Sequence, residues 1–179
     1  LDSNYTGSYA NDAVHTRLLW KIRHMGLSTY TARLNEVSIT IDFDANDVSN
    51  SSVVASANPL SVDTGYVGDK DFDEEIYSGL ILDAENFPSI DFRSTSITER
   101  NDGSYDVAGE LTLLGVTRPV TLRGEITGQT LSHPFMKVPA LGFHVTGTVD
   151  RLAHGLDFLA GSGLGNEIMI EIQTEMIKQ

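Results

Sequence analysis

The sequence predicts an all-β protein of eight antiparallel strands with one short helix. Apolar and polar residues alternate in eight runs, which is the pattern of strands with one buried face. Turn signals such as Asn101-Asp102-Gly103 separate the runs. Eight such strands form either a sandwich or a barrel, and closure into a barrel removes the exposed strand edges. The runs lie near residues 17–24, 33–43, 52–57, 89–98, 104–114, 119–127, 142–150 and 166–176.

Apolar side chains occupy every second position of each run, and we expect these rows to point inward. The opposite rows are mostly Ser, Thr and charged residues. The inward rows are Leu18, Trp20 and Ile22; Val37, Ile39, Ile41 and Phe43; Val53, Ala55 and Ala57; Ile90 and Phe92; Val107, Gly109, Leu111 and Leu113; Val120, Leu122, Gly124 and Ile126; Phe143, Val145, Gly147 and Val149; and Ile168, Ile170 and Ile172.

The one helical segment is 69–78, in the long connection between the third and fourth predicted strands. Acidic residues fill its first turn, where they complement the helix dipole. Phe72, Ile76 and Leu80 follow at i, i+4 and i+8 on one face. We expect this face to cover an open end of the sheet structure.

Segment 104–126 predicts a β-hairpin with its tight turn at 115–119. Within it, Gly-Glu-Leu-Thr-Leu-Leu-Gly-Val-Thr-Arg-Pro-Val-Thr-Leu (109–122) closely resembles the central motif of the YceI-like, lipocalin-fold family. Three further segments resemble that family in order. They are 9–24, with the spacing His-x-x-Leu-x-Trp-x-Ile-x-His; 86–92, Asn-Phe-Pro-Ser-Ile-Asp-Phe; and 151–156, Arg-x-x-His-Gly-Leu.

The resemblance runs from about Tyr5 onward, so we expect residues 1–179 to form a single YceI-like domain. It implies an eight-stranded, lipocalin-like antiparallel barrel. It also implies non-enzymatic binding of a long isoprenoid lipid, either a polyprenyl phosphate or alcohol or an isoprenoid quinone such as ubiquinone. Transport, storage or support of electron transfer, transient membrane contact and a homodimer belong to the same expectation. No cofactor is required beyond the bound lipid.

Small residues in the inward rows predict a hollow interior. Gly109, Gly124 and Gly147 lie on three successive strands, so an open lane could run between them; bend points in the strands are the other interpretation. We expect the tunnel to be lined by Leu18, Trp20, Ile22, Ile39, Ile41, Ala55, Phe92, Val107, Gly109, Leu111, Leu122, Gly124, Phe143, Val145, Gly147 and Ile170. The expected portal residues are Phe72, Ile76, Phe135 and Phe158.

The charge balance disfavours a nucleic-acid partner, because 12 basic and 25 acidic residues give a net charge of −13. No apolar stretch has the length of a membrane-spanning helix. Cysteine is absent, which excludes disulfides and thiolate ligands. The chain begins at Leu1 rather than methionine. Together with the resemblance, this favours an exported bacterial protein, either periplasmic or secreted.

No motif predicts an enzyme or a metal centre. The five histidines lack the i, i+4 or i, i+2 spacing of a metal site, and no Gly-x-Ser-x-Gly elbow joins a strand to a helix. We therefore expect no catalytic residues and no metal. Two roles stay open for Arg151, which could hold a phosphate or carbonyl head group or pair with a buried acid.

A secreted carbohydrate-binding module is the alternative function. Such modules present several aromatic rings on an exposed flat face. The single tryptophan, Trp20, instead alternates with Leu18 and Ile22 in an inward row. An exposed Trp20 beside Tyr30 or Tyr105 would favour the sugar-binding alternative.

Overall fold

Eight antiparallel strands close into a barrel in the computed structural model, which describes all 179 residues. The ring order is β1-β4-β5-β7-β8-β9-β10-β11, and β1 pairs with β11 to close it. Strands β2, β3 and β6 continue the sheet from the other half of β11. The elements are β1 Gly7–Asn11, β2 Arg17–His24, β3 Ser28–Leu34, β4 Val37–Phe43, β5 Ser52–Ala57, β6 Val62–Asp63, α1 Phe72–Tyr77, β7 Ile90–Glu99, β8 Tyr105–Leu113, β9 Val116–Thr130, β10 Ala140–Asp150 and β11 Leu164–Lys178.

The predicted barrel is confirmed, but the strand inventory needs three corrections. The run at 33–43 is two strands, β3 and β4, and the short strands β1 and β6 were not predicted. Strand β1 has too few apolar residues to show alternation, yet its pairing with both β4 and β11 closes the ring. Its final residue, Asn11, extends the ladder with its side chain, which donates to the Val37 carbonyl and accepts from the Ile39 amide.

A bulge in β7 changes which residues face inward. The pairing of β7 with β8 shifts register between Ser94 and Ser96. An extra residue in one strand inverts the alternation beyond it. As a result Ile97 is buried and lines the interior, although the uninterrupted pattern placed only Ile90 and Phe92 of this strand inside.

The hairpin between β8 and β9 turns at Leu114 and Gly115 rather than across 115–119. Both residues have positive φ, +51° and +71°, as a two-residue hairpin turn requires. Pro119 lies within β9, opposite Glu110 of β8. Strand β10 pairs with β9 only from Arg123 onward, so the missing amide of Pro119 breaks no ladder bond on that side.

Helix α1 packs across one end of the barrel. The Asp71 side chain caps it by accepting from the Glu74 amide at 2.9 Å. Ile76 is buried against Leu34, Ala57 and Val62, with partly buried apolar residues of the 72–90 segment around them. Leu80 lies beyond the helix and is 78% exposed, contrary to the predicted i+8 position. No helix has the length and apolar character needed to cross a bilayer.

The interior is filled on one side and open on the other. A cluster of nine buried residues that includes Tyr9, Phe43, Leu141 and Met176 packs between β1, β4, β10 and β11. Only 31 of the 179 residues are buried overall. Inward side chains such as Leu111 and Leu122 are only half-buried, because they face an internal cavity.

Candidate functional site

The barrel encloses a cavity of about 660 Å³. Of its 42 lining residues, 36 are hydrophobic. This volume is typical of small-molecule sites, which range from about 300 to 1,000 Å³. An apolar wall offers no hydrogen bonds, so the cavity favours an apolar guest over water.

The structure brings the predicted tunnel residues together on this wall, with two exceptions. Gly109 and Gly147 do not line the cavity. The lining residues among those predicted are Leu18, Trp20, Ile22, Ile39, Ile41, Ala55, Phe92, Val107, Leu111, Leu122, Gly124, Phe143, Val145 and Ile170.

The lane expected between three glycines is therefore corrected to an opening beside one of them. A Cβ on Gly109 would lie 2.5 Å from the Phe92 ring and from the Arg93 carbonyl oxygen. A Cβ on Gly147 would overlap the Leu122 side chain. Neighbouring side chains thus occupy the space above these two glycines, as aromatic residues often do above glycines in sheets. Only Gly124 borders the cavity, with Val107 Cγ2 as the nearest atom at 3.9 Å.

The cavity opens to solvent beside three of its lining residues that are exposed: His24 at the end of β2, Glu75 on α1, and Leu159 in the loop between β10 and β11. We call this opening the mouth. Of the predicted portal residues, Phe72, Ile76 and Phe158 line the cavity.

Phe135 does not belong to the mouth. It lies in the loop between β9 and β10, is 86% exposed, and contacts the His133 ring at a centroid distance of 6.0 Å. The two strands that this loop joins are long, β9 with 15 residues and β10 with 11, and no residue of the loop lines the cavity. Its position along the barrel depends on strand length, which alternation alone did not reveal.

An aromatic series leads from the cavity to the exterior at the mouth. Trp20 and Tyr30 rings lie 5.8 Å apart, Tyr30 and Phe72 lie 6.1 Å apart edge to face, and Phe72 and Tyr66 lie 6.0 Å apart. The first three rings line the cavity, whereas Tyr66 is 54% exposed. Lys70 Nζ lies 4.8 Å above the Phe72 ring. Tyr30 was not among the predicted lining residues, because alternation did not indicate β3 as a separate strand.

Arg151 is buried beside the cavity and holds the mouth loop. Its Nε donates to the Gly165 carbonyl at 2.6 Å, and Nη1 donates to the carbonyls of Leu156 and Phe158 at 2.6 and 2.9 Å. Nη2 lies 3.4 Å from the Leu164 carbonyl. Burial lowers the pKa of this guanidinium, and neighbouring Asp157 and Asp150 oppose the shift. Of the two roles left open for Arg151, pairing with a buried acid is not found, because backbone carbonyls accept from its guanidinium instead.

Few charged groups line the cavity. The lining residues with a guanidinium, imidazole or carboxylate group are Arg151, His24 and Glu75. The Glu75 carboxylate binds Lys70 Nζ at 2.7 Å. Both partners are about half exposed, so this pair contributes little to stability. Arg151 is the one lysine or arginine on the cavity wall, and its Nε and Nη1 donors serve backbone carbonyls.

The sequence of the chain matches one known protein family. A model of the YceI-like domain matches residues 9–176. A UPF0312 protein of Vibrio vulnificus is 34% identical over 114 residues, and one of Shewanella denitrificans is 32% identical over 115 residues. Each alignment covers 64% of this chain and 59% of the relative, so the match spans somewhat under two thirds of those proteins.

Solved structures share the fold at low sequence identity. Burkholderia cenocepacia BcnA has a TM-score of 0.79 at 18% identity, covering 92% of this chain and 98% of its own. The Campylobacter jejuni YceI protein has a TM-score of 0.72 at 21% identity, covering 89% and 91%. A polyisoprenoid binding domain from Saccharophagus degradans, implicated in plant cell wall breakdown, has a TM-score of 0.69 at 12% identity, covering 96% and 98%. The family model extends over nearly the whole barrel, and the chain belongs to the YceI-like domain family.

Proposed function

We propose that this protein binds a long isoprenoid lipid non-covalently inside the barrel. The observation that carries the proposal is the cavity of about 660 Å³ with 36 hydrophobic residues among the 42 of its wall. Membership of the YceI-like family supports it, as does the shared fold with a domain described as polyisoprenoid binding. The proposed activity is binding and not catalysis.

The size of the cavity supports occupancy by a guest. A cavity of about 660 Å³ leaves the side chains of its wall without packing partners on one side. An apolar guest restores the missing contacts along the wall.

The energetics of exchange favour a carrier or a store. Transfer of a chain of about 40 carbons from water would gain about 30 kcal/mol, whereas the binding free energies of non-covalent complexes reach only about −18 to −21 kcal/mol. The physiological source is another apolar phase, such as a membrane, so the net hydrophobic gain is small. The fit of the chain and the contacts of its head group then set the affinity. Reversible exchange is what transport or storage requires.

The polar groups at the mouth favour an uncharged head group. The donors of Arg151 Nε and Nη1 already serve backbone carbonyls, and Lys70 is paired with Glu75. The net charge of −13 repels anions at longer range. The rings of Trp20, Tyr30 and Phe72 instead offer faces for a planar or neutral group. Among the expected ligands, an isoprenoid quinone or alcohol fits better than a polyprenyl phosphate.

The proposal extends to the setting in which such a carrier works. It includes a periplasmic or secreted location, transient contact with a membrane during loading, and a homodimer. The carbohydrate-binding alternative is not favoured. Trp20 does lie beside Tyr30, but both rings line the cavity instead of an exposed flat face.

Mass spectrometry of the untreated protein tests the proposal. We expect native mass measurement to show a bound adduct and an organic extract to contain an isoprenoid lipid. In parallel, delipidated protein is incubated with micelles containing ubiquinone, a polyprenol or a polyprenyl phosphate of matched chain length. Uptake of the two uncharged lipids in preference to the phosphate is the expected result. No extractable lipid together with no uptake of any of the three would refute the function; preferential uptake of the phosphate would refute only the head-group assignment.

A further inference from the structure

Two carboxylates and an imidazole meet on the outside of the barrel, away from the cavity. Asp12 and His15 lie in the connection between β1 and β2, and Glu175 lies on β11. His15 Nδ1 is 2.8 Å from Asp12 Oδ2 and 3.9 Å from Glu175 Oε2. The donor atoms of the three side chains all lie within 4.8 Å of one another. None of the three residues lines the cavity.

Backbone hydrogen bonds hold this arrangement in place. The Asp12 amide donates to the Glu175 carbonyl at 2.8 Å, which fixes the two residues relative to each other. The Val14 amide donates to Asp12 Oδ1 at 2.8 Å, so Oδ2 stays directed at His15. Thr16 Oγ1 ties the Asp12 carbonyl to Thr174 of β11, at 2.6 and 2.8 Å. The loop therefore presents its side chains from a rigid base, as a preorganised site requires.

A second histidine approaches Glu175 from the loop between β9 and β10. His133 Nε2 lies 3.9 Å from Glu175 Oε2. Its Nδ1 faces the amides of Met136 at 3.2 Å and Phe135 at 3.4 Å. A nitrogen that accepts from amides carries no proton, so the neutral ring carries its proton on Nε2. At 3.9 Å this nitrogen is beyond hydrogen-bond distance of the Glu175 carboxylate, so His133 is a neighbour of the cluster and not one of its ligands.

We propose that Asp12, His15 and Glu175 form a surface site for a divalent transition-metal ion such as Zn²⁺. Donors on a tetrahedral zinc ion are about 3.3 Å apart, and the observed separations of 2.8 and 3.9 Å bracket this value. One imidazole with two carboxylates suits zinc-like ions better than Mg²⁺ or Ca²⁺, which take oxygen ligands. The side chains of His15 and Glu175 are about half exposed, which leaves a coordination position for water.

The proposed ligand roles follow from the protonation states. Binding requires His15 to give up its Nδ1 proton, so the ion displaces the proton that now bridges to Asp12. Asp12 Oδ1 keeps its bond to the Val14 amide, which continues to orient this carboxylate. The net charge of −13 attracts cations to the surface. This site departs from the expectation of no metal, which rested on the spacing of histidines along the chain.

Calorimetry with Zn²⁺ on the purified full chain, after dialysis against a chelator, tests the site. We expect one ion per chain with a Kd below 100 μM. His15→Ala and Glu175→Gln should each weaken binding at least tenfold. His144→Ala is the matched control, because His144 Nε2 lies 3.5 Å from Glu171 on the barrel exterior without a second carboxylate ligand, and it should leave the Kd unchanged. Long-range ¹H–¹⁵N NMR should show Zn²⁺ shifting the Nδ1 resonance of His15.

The outcomes separate a metal site from a simple ion pair. Saturable binding that both variants weaken tenfold, with the control unaffected, supports the site. A wild-type Kd above 100 μM, a smaller effect of either variant, or an equal effect of the control overturns it.

Discussion

Replacement of Gly124 by phenylalanine should stabilise the empty barrel while it prevents loading. Gly124 is the one inward glycine that borders the cavity, and a Cβ there would meet only Val107 Cγ2 at 3.9 Å. The ring would therefore enter open space instead of a packed wall. Cavity filling and ligand exclusion follow from the same atoms, so the two effects must appear together.

The magnitudes can be estimated from the surface that the ring covers. A buried aromatic side chain removes about 150–250 Å² from water, worth about 4–6 kcal/mol at 25 cal/mol per Å². Residual compactness of the unfolded chain reduces this figure, and we expect a gain of at least about 2 kcal/mol in the unfolding free energy of the empty protein. The ring has seven carbons with its methylene, and a guest chain cannot occupy the same space without overlapping it. We expect loading to fall at least 100-fold, which corresponds to about 2.7 kcal/mol.

Chemical denaturation of delipidated protein and native mass spectrometry after incubation with ubiquinone micelles measure the two effects. Gly128→Phe is the control, because Gly128 lies on the same strand, is exposed, and a Cβ added there would have no atom within 4 Å. The control should load like the wild type. If Gly124→Phe folds and loads as well as the control, the guest does not occupy the space beside β9 and the cavity assignment is wrong.

Three further changes probe the mouth, the wall and the exterior. Arg151→Lys should lower the unfolding free energy by about 2–4 kcal/mol, because the shorter ammonium side chain leaves buried carbonyls of the mouth loop without donors. Amide hydrogen exchange of residues 156–165 should rise selectively in this variant. Unchanged exchange there would contradict the role of Arg151 in holding the loop. Gly109→Ala should lower the unfolding free energy by at least about 1 kcal/mol, because the added Cβ would lie 2.5 Å from a backbone carbonyl oxygen. Gly124→Ala should leave the unfolding free energy unchanged. Equal denaturation midpoints for the two variants would disprove this contrast. The pKa of His15 is raised by its hydrogen bond to Asp12 and by the charge of Glu175. The stability linked to this raised pKa is therefore present at pH below about 6.5 and is lost as the pH rises through the folded-state value. Metal-free NMR titration should show Asp12→Asn lowering the pKa of His15, and a pKa that does not move would refute the ion pair.

The sequence predicted most of the cavity wall because alternation survives wherever a strand is regular. On β2, for example, Leu18, Trp20 and Ile22 line the cavity as the period of two requires. The same reasoning failed at the bulge of β7, where one extra residue turned Ile97 inward. It also missed Tyr30, which lies on a strand rich in Thr and Ser with few apolar positions.

The periodicity of the sequence does not predict contacts between segments that are far apart in the chain. Whether an inward glycine leaves a gap depends on the rotamer of a neighbour on another strand. The Phe92 ring covers Gly109, whereas nothing covers Gly124. The partners of Arg151 are backbone carbonyls of a loop that folds back beside it, and carbonyls carry no residue-specific signal. Asp12 and Glu175 are brought together only when β1 pairs with β11.

The sequence by itself determined the all-β class and the apolar character of the inward rows, and its motifs carried the family resemblance that implied a barrel. The first two properties follow from the side-chain period, which each strand carries alone. Only the tertiary structure decided where the interior is open, which residues form the mouth, and which charged groups are already paired. Those features depend on strand register, bulges and side-chain packing between segments far apart in the chain, and packing is resolved only when all strands are in place.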